Sequence, residues 1–135
     1  CRNVSHIMVP EKYDFTKFLD ICTLNKKVSL NHKYFNNYEY NKAIFLVNSK
    51  EHLDSGNLLL TEDSNFASPV SVINFEYYSD INQISKLLLD NTSKIQCIVS
   101  KSEKIKNAIP PGSSQSPQLW DYADGIDTME FLVNL

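Results

Sequence analysis

The stretch PVSVINFEYYSDINQISKLLLDNTSKIQCIV, residues 69–99, decides the fold. Directly behind Pro69, Val70, Val72 and the aromatic residues after them place β-branched and ring side chains over a strand's length. Asp80 is then an N-cap for INQISKLLLDN, in which Ile81, Ile84, Leu87 and Leu88 recur on one helical face. The run at 94–100, with Ile95, Cys97, Ile98 and Val99, is nearly continuous apolar sequence of the kind found in strands covered on both faces. Strand, capped helix and strand in that order predict a right-handed crossover joining a parallel pair. The expected fold class is therefore α/β, a three-layer domain with a largely parallel central sheet flanked by helices.

Upstream, Asp54, Ser55 and Gly56 punctuate a turn ahead of 57–61, where a row of leucines reads as a buried strand. The segment NHKYFNNYEYNKAIFLVN at 31–48 sets Tyr34, Phe35, Tyr38, Ile44 and Phe45 near a helical period, despite asparagines that are weak helix formers. Val4, Ile7, Met8 and Val9 make a β-prone run stopped by Pro10, and Asp14 caps a helix with Phe15, Phe18, Leu19 and Cys22 on one face. Downstream, 102–118 collects serine, proline and Gly112 without periodicity, so it is expected to be the least packed segment, and Asp127 starts a short terminal helix. No repeat or linker stands out, and one domain over 1–135 is the expectation.

At 135 residues, 42% of them hydrophobic and 21% charged, the chain has the composition of an ordinary folded domain, too short to hold a complete cofactor fold besides its own core. A net charge of -3 concentrates no positive potential, which argues against nucleic acid as a partner. Apolar runs such as 43–47 and 95–99 fall far short of the roughly 20 residues of a membrane span. Three cysteines, Cys1, Cys22 and Cys97, cannot close into a full disulfide framework, which favours a reducing, cytoplasmic compartment. A first residue that is cysteine, with no signal-peptide pattern behind it, suggests a fragment or a processed product.

Cys1 is the residue whose chemistry is most reactive, because a thiolate attacks carbonyl carbon at neutral pH once a nearby donor lowers its pKa. Cys22 and Cys97 fall on apolar faces and read as core. His6, His32 and His52 are scattered, with no paired spacing that would converge three or four donors, so no metal site is expected. Asp121 and Asp124 could serve as general acid and base, although capping and loop solvation explain them as well. With three glycines and neither G-x-G-x-x-G nor G-x-x-x-x-G-K-[ST], a dinucleotide would have to be held mostly outside these residues.

Taken together, CRNVSHIMVPEKYDF, HKYFNNYEYNKAIFLVN, SPVSVINFEYY, IQCIVS and QSPQLWDYADGIDTMEFL resemble the C-terminal, cysteine-bearing part of bacterial LuxC-like acyl-CoA reductases, within the aldehyde dehydrogenase superfamily. The resemblance runs nearly end to end. It implies an aldehyde-dehydrogenase-like catalytic domain in which Cys1 matches the nucleophile. It also makes NFASPV at 65–70 similar to the superfamily's E-x-F-G-P-V segment, with Asn65 and Phe66 on the cofactor side and Pro69 and Val70 matching. Asn65 stands where that segment has a ribose-contacting glutamate, and Ser68 where it has glycine. Pro111 and Gly112, followed by Gln115 and Pro117, resemble a turn at the family's active-site mouth.

The resemblance implies NADP or NAD as cofactor, bound mainly by a domain these residues do not include, and acyl-CoA as substrate. The Cys1 thiolate would take the acyl group as a thioester, and reduction would release an aldehyde. Self-association into a homo-oligomer stays open. Two rival readings remain: a hydrolase using the free α-amino group of Cys1 as base, and a non-catalytic binding module whose aromatic stretch at 34–40 covers a partner.

Overall fold

The computed structural model describes residues 3–122 and 126–135, and these divide into two compact units, Asn3–Ser79 and Asp80–Leu135. In the first, β1 (His6–Pro10), β2 (Leu53–Asp54), β3 (Leu59–Glu62) and β4 (Val72–Tyr78) form one sheet in the order β1-β4-β3-β2. β4 pairs in parallel with both β1 and β3, and only the short β2 runs antiparallel.

Side chains alternate across a strand, and here both faces are covered. Leu60, Ile73, Phe75 and Val9 cluster with Phe15, Phe18 and Leu19, the last two from α1 (Thr16–Leu24). Leu59 and Val72 point the other way, onto Tyr38 and Phe45 of α2 (His32–Val47). Leu59 and Leu60 are each 0% exposed. The unit is thus a mostly parallel sheet with a helix on each side, which explains why three leucines in a row occupy this strand.

A small polar residue caps α2, whereas the N-cap of α1 is Phe15 and not the expected Asp14, which lies one position further out. Asn31 Oδ1 accepts the Tyr34 N–H at 3.2 Å to open α2. Asp14 Oδ1 accepts both the N–H and the hydroxyl of Thr16, at 2.9 and 2.6 Å, and these bonds hold its carboxyl below the usual range. Tyr38 donates its hydroxyl to Asp54 Oδ1 at 2.7 Å, and Lys42 pairs with the same carboxylate at 2.8 Å. Burial alone would raise the Asp54 carboxyl, but the bonds from Lys42, Tyr38 and the Gly56 N–H outweigh it and keep it low. Gly56, at φ +84°, makes the β2–β3 turn, where its missing Cβ avoids the left-handed penalty.

In the second unit, Asp80 caps α3 (Ile81–Asp90) by accepting the Asn82 N–H at 3.0 Å, as the sequence predicts. The run at 94–100 differs from expectation. Only β5 (Ile98–Val99) is extended, and it pairs in parallel with β6 (Ala108–Ile109), not with β4. The predicted β4–α3–β5 crossover within one sheet is therefore corrected: β4 takes its parallel partners from β1 and β3. Asp127 caps α4 (Thr128–Val133) through the Glu130 N–H, at 2.9 Å. Among the described residues no helix is long and apolar enough to cross a membrane.

Candidate functional site

Strands β3 and β4 are parallel neighbours joined by residues 63–71, a connection shorter than the dozen or more residues such crossovers ordinarily need and without a helix of its own. Its backbone polar groups must find partners elsewhere. Asn74, 4% exposed within β4, donates through Nδ2 to Asn65 O at 2.9 Å and to Ala67 O at 3.2 Å. Ser5 Oγ donates to the carbonyl between them, Phe66 O, at 2.6 Å. The Asn74 N–H in turn donates to Ser5 O at 3.0 Å. The entry to β1 and the 65–67 loop are therefore tied into one junction.

His6 adds to it. Its ring meets the Phe66 ring edge-on at a centroid distance of 5.2 Å. The imidazole is 7% exposed, and Nε2 lies 3.3 Å from Glu76 Oε2, within ion-pair range but without the alignment of a hydrogen bond. At the start of the loop Asp63 accepts from the N–H and the side-chain amide of Asn65, at 3.0 and 2.7 Å, and from Lys50 at 2.9 Å. Lys50 first, then the Asn65 N–H, holds the Asp63 carboxyl at about 2.

Cys1 lies outside the described residues, as does Asp124. Ser5, which follows Cys1 by four positions, is the first of the described residues drawn into the junction. Asn65 is exposed and Phe66 half-buried, and the carbonyls of both are hydrogen-bonded at this junction. Asp121 uses Oδ2 to accept the Gln118 N–H at 2.9 Å, a turn contact. Cys22 and Cys97 are free and half-buried, and burial pushes the Cys22 thiol up, away from the reactive thiolate.

His32 opens α2 in solvent, and His52 bonds Lys50 O at 2.8 Å through Nδ1. Among the described residues no three histidine, cysteine or acidic side chains gather as a metal site would require. Of the aromatic stretch, Tyr38 is fully buried and Tyr34 donates to Asn57 O at 2.8 Å, so those rings serve the core. Pro111 and Gly112 form a turn closed by the Ser113 N–H on Pro110 O at 3.1 Å, with Gly112 at φ +92°.

Sequence patterning missed Ser5 and Asn74. The available signal was an asparagine inside the apolar strand VINFEYY, since a buried amide must be hydrogen-bonded. Comparison with protein-family models, with curated proteins and with solved structures finds no match to this chain.

Proposed function

We propose that this chain is the cysteine-bearing portion of an NAD(P)H-dependent acyl-CoA reductase of the LuxC-like, aldehyde-dehydrogenase-related type, with Cys1 as acyl acceptor. The observation that carries the reading is the Ser5–Phe66 junction. The stretch that begins with Cys1 and the stretch similar to the family's cofactor-side segment are 61 residues apart at this bond, yet hydrogen-bonded to each other. Delivering a hydride to an acyl group on that cysteine requires such adjacency.

The residues at the junction suit a nicotinamide-side ribose. The Asn65 side-chain nitrogen is engaged by Asp63, while its exposed oxygen has no partner among the described residues and can accept from a ribose hydroxyl. NAD(P)H, when bound, supplies the hydride that turns the acyl group into an aldehyde. The chain's own part is covalent. The Cys1 sulfur bonds to the thioester carbonyl carbon, the carbon–sulfur bond to coenzyme A breaks, and coenzyme A leaves as its thiolate. The Cys1 backbone N–H serves as one donor to the oxyanion formed on the way.

The test is acyl-CoA reduction by the natural full-length protein and its Cys1→Ser variant. Loss of about a thousand-fold or more in kcat is expected from removing the nucleophile. Full activity in the variant would overturn the assignment.

A further inference from the structure

We infer that Asn74 is a positioning residue for this site, setting the orientation of the 65–68 loop on which the cofactor's ribose side would rest. The inference depends on the reductase reading above. Asn74 sits between Ile73 and Phe75 on a strand where an apolar side chain would be buried without desolvating an amide. Both of its amide hydrogens are used, on Asn65 O and Ala67 O, while Ser5 Oγ takes Phe66 O. Three successive carbonyls are thus held by β4 and by the residue entering β1.

No peptide bond among the described residues is cis. In a trans peptide the C=O and the following N–H point in opposite directions. Holding the carbonyls of residues 65, 66 and 67 therefore turns the N–H groups of Phe66, Ala67 and Ser68 away from their anchors. None of the three has a hydrogen-bond partner among the described residues. Asn74 so decides that the loop presents donors, beside the Asn65 acceptor, and not carbonyl oxygens. The main-chain bond from Asn74 to Ser5 does not involve its side chain, so a side-chain substitution disturbs the loop and leaves this bond to Ser5 in place.

The experiment uses the natural full-length protein with Asn74→Leu, which matches the size and lacks donors, and Asn74→Thr, which keeps one. Two quantities are read: the dissociation constant for NADPH and NADH by fluorescence titration, and the rate of thioester formation at Cys1 from acyl-CoA without nicotinamide. Losing both donors raises the dissociation constant about ten-fold or more, the Thr variant falls between, and acylation stays within about two-fold. If Asn74→Leu does not fold, the Thr variant alone carries the comparison.

Unchanged nicotinamide binding overturns the inference. So does an equal loss of binding and acylation, which marks a general structural role. A wild-type protein that forms no thioester removes the reductase reading itself, and the inference with it, whereas an active wild type with an indifferent Asn74→Leu removes only the role of Asn74.

Discussion

Replacing Leu59 and Leu60 one at a time by alanine tests whether the Asn3–Ser79 unit is covered on both faces. The two residues are adjacent on β3 and equally inaccessible, but Leu59 packs on Tyr38, Phe45 and Val72 while Leu60 packs on Val9, Phe15, Ile73 and Phe75. Each substitution removes buried hydrocarbon and leaves a cavity, at a cost of about 3 kcal/mol. In urea unfolding that lowers the midpoint by roughly 2 M at a slope of about 1.5 kcal/mol/M. Leu132→Ala, on an exposed position of α4, shifts stability by less than about 0.5 kcal/mol and serves as control. A cost near 3 kcal/mol for Leu60→Ala with almost none for Leu59→Ala would refute the covering of the α2 face.

Acid sensitivity follows from Asp63, whose carboxyl is held at about 2, below its usual value near 4. Its contribution is complete above pH ~4 and disappears as pH falls toward 2. It amounts to about 1 kcal/mol once solvent screening of this half-exposed pair is included, and Lys50→Met weakens that part of the pH dependence in unfolding titrations, with the share from the Asn65 bonds remaining. Tyr38, pushed up to about 12 by burial and then by its bond to Asp54, stays a neutral donor across the physiological range, so Tyr38→Phe costs about 1 kcal/mol by urea denaturation.

Periodicity and capping residues were sufficient for α2, α3 and α4, where Asn31, Asp80 and Asp127 each accept the N–H that a cap should, while α1 has Phe15 and not Asp14 as its N-cap. Strand pairing was less legible. The run at 94–100 identifies apolar residues but not a partner, and Val99 is in fact exposed. The parallel neighbours of β4 are instead β3 and β1, and in β1 Pro10 takes the last position of an edge strand, a place that needs no further N–H. Patterning also treats every asparagine as a surface or turn residue. Asn74 earns its place only through long-range bonds to Asn65 and Ala67, which no local window contains. The Cys1, Asn65 and Phe66 assignments came from resemblance, and hydrogen bonding links Ser5, four positions after Cys1, to Phe66.

The most direct measurement is the intact mass of the natural full-length protein after incubation with acyl-CoA in the absence of nicotinamide, followed by peptide mapping. The account predicts one acyl group, labile to hydroxylamine, on the peptide carrying Cys1, and none on the Cys1→Ser variant. No adduct, or an adduct carried by Cys22 or Cys97, would contradict it.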